Sequence, residues 1–217
     1  MNQKVILCYG DSNTHGMTPI ADALAPVRGR YGRDVRWPGV VQKLLDDAVA
    51  IIEEGLPGRT TCVDDPIKGA PKNGLTYLRP CLDSHFPIDI IVLMLGTNDL
   101  KAHFARSPED ITAGIETLLD GITEAQIGRD GKQPKILLVA PPPILEIGAE
   151  ESAFKGGAEK SRHLAALYAA IAERRGLAFF DAGSVIEVST VDGIHFEPEA
   201  HQRLGEALVQ QLDSMMA

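Results

Sequence analysis

Cysteine is scarce in this chain of 217 residues. Cys8, Cys62 and Cys81 make an odd number, with no C-x-x-C spacing. Neither a disulfide framework nor a zinc knuckle is therefore indicated. Cys8 sits inside an apolar run, where a thiol packs as a small hydrophobe. Basic residues are outnumbered by acidic ones, 21 to 30, which gives a formal charge of −9. An acidic surface repels phosphate backbones and anionic lipid, so neither nucleic acid nor a membrane surface is an expected partner. No apolar run approaches the ~20 residues needed to cross a bilayer, and residues 5–9 are too few for a signal-peptide core. The sequence therefore reads as cytoplasmic. There is no internal repeat, no low-complexity tract and no linker that splits the chain. The rest of the composition is ordinary, with 44% hydrophobic and 24% charged residues. Such a chain folds around a core and is not disordered.

Short runs rich in Val, Ile and Leu recur at residues 5–9, 49–52, 88–95, 136–140 and 178–180. They do not alternate, which predicts strands buried on both faces, the pattern of a parallel sheet. Amphipathic stretches lie between them. Val40, Val41, Leu44 and Leu45 form one helical stripe. Ser107-Pro108-Glu109-Asp110 is a helix start, with a serine cap, proline in the first position and acids in the first turn. Ile111, Ile115, Leu118, Leu119 and Ile122 follow at helical spacing. Leu164, Leu167, Tyr168 and Ile171 mark a helix that stops near Gly176, and Leu204, Leu208, Val209 and Leu212 mark the last one. The alternation predicts a single α/β domain over residues 1–217, with a five-stranded parallel sheet between helix layers. Segments 17–34, 60–74 and 141–157 are rich in Gly, Pro and charge. They exceed plain connectors and read as functional loops.

Open parallel sheets bind ligands beyond the carboxyl ends of their strands. The first run ends in Gly10-Asp11-Ser12, the second in Glu53-Glu54-Gly55, the third in Gly96-Thr97-Asn98-Asp99, and Asp192-x-x-His195 precedes the last helix. A serine hydroxyl needs a base, and a neutral imidazole suits that work near pH 7. The imidazole needs a carboxylate on Nδ1 to hold one tautomer, which Asp192, three residues from His195, can supply. A tetrahedral oxyanion needs fixed donors. The candidates are the backbone N–H of Ser12, the backbone N–H of Gly55 and the side-chain amide of Asn98. Taken singly, Ser12 reads as a helix cap, Asp192 as a turn former and Asn98 as a loop residue bracing its own turn. Their joint order points to catalysis. Asp99 either lines the pocket mouth or stabilises its turn. His15, His85, His103, His163 and His201 have no comparable partner and read as surface or core.

These blocks resemble, in order and spacing, the four blocks of the SGNH (GDSL-like) hydrolase family, from the first strand to the last helix. Val35-Arg36-Trp37, Glu53-Glu54-Gly55-Leu56 and Leu93-Met94-Leu95-Gly96-Thr97-Asn98-Asp99 are most similar to its arylesterase/acyltransferase branch. The resemblance implies a three-layer, flavodoxin-like fold and a serine esterase without metal or cofactor. It also implies short acyl and aryl esters as small-molecule substrates, acyl transfer or perhydrolysis beside hydrolysis, and homo-oligomers. Two positions depart from the family pattern: Asn13 replaces leucine, and Glu53 stands where many relatives have asparagine. Both bear on acyl preference, not on the reaction class. Leu56, Phe154 and Ile194 are the expected substrate-binding residues, within a wider apolar set of Met17, Pro57, Pro142, Ile144 and Phe196. Loops 17–34 and 60–74 are expected to cross the pocket mouth, meet neighbouring subunits and leave a narrow, largely apolar channel. A metal-dependent phosphoesterase would need Asp-x-His near the first strand and a histidine directly after Gly-Asn, and neither is present. A dinucleotide domain would need Gly-x-Gly-x-x-Gly, also absent. A catalytically silent binding module of this fold would usually have lost the serine or the histidine, and both are here.

Overall fold

Five parallel strands run through the centre of the computed structural model, which describes residues 3–22, 24 and 28–216. They are β1 (Lys4–Gly10), β2 (Val49–Gly55), β3 (Ile90–Met94), β4 (Lys135–Ala140) and β5 (Ala178–Asp181), in the order β2-β1-β3-β4-β5. Gly10 pairs with Gly55 on one side and Met94 on the other, so the carboxyl ends of the three neighbours are level. The order reverses between β1 and β3, and a crevice opens at such a switch point.

The strand runs lack alternation because each face packs against helices. Leu7, Tyr9, Leu93 and Leu138 join one core, and Ile6, Cys8, Val92 and Val139 join the other. The first is covered by α3 (Gly74–His85), α4 (Pro108–Ala125) and α5 (Gly157–Arg175), and the second by α2 (Trp37–Leu45) and α6 (Pro198–Met216). The stripe Ile111, Ile115, Leu118, Leu119 and Ile122 is fully buried under α4. Burying each such side chain contributes about 1.5–3 kcal/mol. A capping box starts α4: Ser107 Oγ accepts from Asp110 N at 3.1 Å, and Asp110 Oδ2 accepts from Ser107 N at 2.9 Å.

One helix carries little of the predicted pattern. α3 holds Pro80 in its interior and buries only Leu78, Cys81 and Leu82 among its larger side chains. Its start is set by Asn73, whose side chain accepts from Leu75 N at 2.9 Å. The four-residue α1 (Ser12–His15) lies directly on the end of β2. A Cβ added at Gly55 would come within 2.1 Å of the His15 nitrogen, so only glycine allows this approach. Of the long loop 17–34, residues 23 and 25–27 lie outside the described residues.

Candidate active site

The chain leaves β1 through Asp11, whose Oδ1 accepts from Asn13 N at 2.9 Å and caps α1. That cap sets Ser12 at the head of α1, buried and lining a pocket. Asn13 is turned away from solvent, and its Nδ2 donates to the Ile194 carbonyl at 3.1 Å. The residue that departs from the family pattern thus ties α1 to the turn that carries His195.

That turn is shaped by Gly193, whose φ of +73° suits glycine, and a Cβ there would lie 2.3 Å from the Leu145 carbonyl oxygen. It folds Asp192 back on its own imidazole. Asp192 Oδ1 accepts from Ile194 N at 3.0 Å and His195 N at 2.9 Å. Oδ2 accepts from Ile20 N at 2.7 Å and faces His195 Nδ1 at 2.6 Å. Burial alone would raise the Asp192 pKa, but the hydrogen bond and charge of His195 and the backbone N–H groups outweigh it and hold it at about 2. On the other side of the ring, His195 Nε2 lies 3.0 Å from Ser12 Oγ. The structure therefore brings Ser12, His195 and Asp192 into one line. An imidazole bonded on both sides in this way can take a proton from the hydroxyl.

Asn98 follows β3 and reaches the same pocket wall, with Nδ2 3.5 Å from Asp11 Oδ2. This is a weak contact, which leaves the amide able to donate elsewhere. Its neighbour Asp99 points inward, away from the pocket. Thr61 donates to it twice, from N to Oδ2 at 2.9 Å and from Oγ1 to Oδ1 at 2.5 Å. Asp99 thereby pins the loop after β2 to the Asn98 turn. Burial raises its pKa to about 6, against the lowering effect of the Thr61 bonds. Glu53, the second departure, lies under an arginine cluster. It pairs with Arg36, with Arg33 at 3.5 Å and with Arg30 at 3.9 Å, and so fastens loop 28–36 to the end of β2.

The pocket encloses about 210 Å³. Phe154 and Ile194 stand on its wall, as do Met17, Ile20 and Pro57. Leu56 does not; its N–H donates to the Gly10 carbonyl at 3.1 Å and Pro57 takes the wall position. Pro142, Ile144 and Phe196 are also off the wall. Both long loops reach the mouth, through Met17, Ile20, Arg28, Lys68 and Lys72. The lining is not the largely apolar channel expected, because Arg28, Lys68, Lys72 and Lys101 all contribute to it. Sequence reasoning missed these four cations, and no spacing or motif marks them.

Among the described residues, Glu54, Cys81 and His85 have donor atoms within 4.8 Å of one another and could hold a metal ion. The group joins β2 to α3, away from the pocket wall. His85 Nε2 is already 2.8 Å from Glu54 Oε1, and burial, with the Glu54 charge, pushes the Cys81 thiol up to about 12. His201 is a core residue: its Nδ1 accepts from Trp37 N at 3.3 Å, and burial lowers its pKa to about 3. No helix among the described residues is long and apolar enough to cross a membrane.

Residues 8–203 match the GDSL-like Lipase/Acylhydrolase family. Among solved structures, the chain is similar to the native aryl esterase of M. smegmatis, at 42% identity over 98% of this chain and 99% of that one, with a TM-score of 0.91. It is also similar to a carbohydrate acetylesterase from Sinorhizobium meliloti, at 40% identity over 98% and 100%, with a TM-score of 0.92. A G-D-S-L family lipolytic protein from Veillonella parvula, 15% identical over 95% of this chain and 97% of that one, shares the fold at a TM-score of 0.67. No curated protein matches the chain.

Proposed function

The chain belongs to the GDSL-like lipase/acylhydrolase family and is a serine-type carboxylic ester hydrolase, and from that premise we propose the following roles for its residues. Ser12 Oγ attacks the ester carbonyl while His195 Nε2 takes its proton. Asp192 accepts from Nδ1, holds the ring in one tautomer and stabilises the imidazolium. The backbone N–H groups of Ser12 and Gly55 and the Asn98 amide bind the oxyanion. Collapse expels the alcohol, protonated by His195, and leaves the acyl group on Ser12. Water then attacks with His195 again as base, releasing the acid and restoring the serine. The observation that carries this reading is the unbroken line from Ser12 Oγ through His195 to Asp192, at 3.0 and 2.6 Å.

The substrates are short-chain acyl and aryl esters, in keeping with a pocket of about 210 Å³. The aryl esterase and the carbohydrate acetylesterase support the same substrate class. Phe154 and Ile194 contact the acyl group, and Leu56 acts through its neighbour Pro57. An alcohol or hydrogen peroxide that reaches the acyl-enzyme before water gives acyl transfer or perhydrolysis. Residues 1–217 work as one hydrolase domain, without a cofactor, in the cytoplasm and as a homo-oligomer. Neither a metal-dependent phosphoesterase nor a silent binding module draws support from these relatives.

The test is hydrolysis of p-nitrophenyl acetate by the purified protein, blocked by a serine-directed organophosphate whose adduct maps to Ser12. Ser12→Ala should lower the rate on the order of 10⁴-fold with the melting temperature kept. A variant that retains a tenth of the rate removes Ser12 from the mechanism. Faster turnover of a decanoyl than an acetyl ester overturns the short-chain preference, and elution as a 23.3 kDa monomer overturns the assembly.

A further inference from the structure

A chain of net charge −9 sets Arg28, Lys68, Lys72 and Lys101 around one small pocket, against a single lining acid, Glu150. Two of the four cations are engaged. Lys72 Nζ donates to the Pro57 carbonyl at 2.8 Å, and Arg28 Nη1 donates to the Asp22 carbonyl at 3.3 Å. Lys101 is different. It lies three residues past Asn98 and is only 7% exposed, yet among the described residues its ammonium donates no hydrogen bond and has no carboxylate within 4 Å. Its Nζ lies over the face of Phe154, 5.7 Å from the ring centroid. Its Nζ is not sealed from solvent, so an ammonium without a hydrogen-bond partner opens into the pocket.

Lys68 adds to the imbalance. It is exposed, its stem passes Gly58 beside that of Lys72, and its charge acts on both Lys72 and Lys101. Burial lowers the Lys101 pKa first, and the Lys68 charge lowers it further; Asp65, Glu150 and Asp11 oppose this from a distance. Asp65 is buried; its Oδ1 accepts from Ile67 N and Lys68 N, its Oδ2 has no hydrogen-bond partner among the described residues, and its charge offsets part of that of Lys101. Four lining cations against one lining acid leave the pocket positive next to the nucleophile, with Asp65 offsetting part of that charge. An anion there would relieve both the desolvation of Lys101 and its repulsion from Lys68.

We propose that the preferred substrate is an ester that carries a negatively charged group, a carboxylate or an anion of similar size, a few bonds from the scissile carbonyl, and that Lys101, with Lys68 beside it, receives that group. The proposal rests on the esterase reading above. The anion enters on either the acyl or the alcohol side, and two pairs of substrates separate these: mono-p-nitrophenyl succinate against its methyl ester, and 4-acetoxybenzoate against its methyl ester.

The readout is the ratio of kcat/KM for the charged ester to that for its methylated partner, corrected for spontaneous hydrolysis. A general loss of activity in a variant cancels in this ratio. One charge-assisted hydrogen bond in a sheltered site corresponds to about 10- to 100-fold. The wild-type ratio should reach that range in at least one pair and fall as salt rises. It should drop towards unity in Lys101→Met, which keeps the apolar stem. Lys68→Gln, a change at an exposed position, should lower the ratio severalfold without touching the buried stem. Wild-type ratios at or below unity in both pairs overturn the anion site while p-nitrophenyl acetate turnover keeps the esterase reading. An equal loss on charged and neutral esters in Lys101→Met assigns the lysine to the oxyanion or the fold and also overturns the proposal. Failure to hydrolyse any ester overturns both readings.

Discussion

Asp192→Asn separates what this carboxylate does for His195 from what it does for the fold. Four donors converge on it: Ile194 N and His195 N on Oδ1, and Ile20 N and the His195 ring on Oδ2. An amide that keeps its oxygen toward the two N–H groups of the turn sets its NH₂ against Ile20 N–H and the imidazole. The ring must then accept at Nδ1, so Nε2 carries a proton and points it at Ser12 Oγ, where it can no longer act as base. The same tautomer error lowers turnover about 10⁴-fold in serine proteases, and a loss of about 10³- to 10⁴-fold in kcat/KM is expected here. Ile20 N–H meanwhile loses its acceptor, at a cost of about 1–3 kcal/mol for a buried donor, or roughly 2–12 °C in Tm for a chain of this size. The flipped amide faces two N–H groups and is worse.

A second measurement of the same variant uses pH. The Asp192 pKa is held at about 2, below its ordinary 3.8. The ionised group therefore contributes on the order of 2 kcal/mol of stability above pH ~4, lost as pH falls through 4 towards 2. The gap in Tm between wild type and Asp192→Asn should narrow over that window. Activity within tenfold of wild type, with melting unchanged from pH 7 down to pH 3, would refute the assignment of Asp192 to His195.

Two further outcomes are expected. Asn98→Ala should lower kcat by about 10²- to 10³-fold and leave KM nearly unchanged, because an oxyanion donor bonds most strongly in the transition state; an effect confined to KM removes Asn98 from that role. Asp99, raised by burial from 3.8 to about 6, should make wild-type stability fall as pH rises from about 4 to 6, by on the order of 3 kcal/mol. Asp99→Asn, which can still bond Thr61, should abolish that slope, and a Tm profile equally steep in the variant would contradict it.

Much of the fold was legible because burial on two faces leaves a plain mark. Residues 88–95 and 136–140 contain no alternation, and in the structure Val92 and Leu93 point into opposite cores. α4 was legible from its cap and stripe together. α3 was not, because Pro80 interrupts it and most of its surface faces water, so neither period nor propensity stands out. Its position is fixed by Asn73 and by packing of Leu78 and Leu82, which are tertiary facts. Asp192 and His195 could be paired from sequence because three residues separate them on one turn. Ser12 and His195 are 183 apart, and only the strand-end rule for parallel sheets brings them to the same edge.

What stayed hidden is contact between loops. No sequence pattern says that Ile20 donates to Asp192, that Asn13 reaches the Ile194 carbonyl, or that Glu53 gathers three arginines. The positive pocket was hidden for a different reason. Net charge is a sum over the whole surface, and salt screens exposed charges beyond about 10 Å, so −9 speaks to encounters with large polyanions at a distance. A substrate of a few atoms meets only the charges within the pocket, where screening is weak and Lys101 is buried. A negative net charge, which disfavours nucleic acid, therefore does not disfavour a small anionic ester. The sign of the local field, not that of the chain, sets what enters beside Ser12.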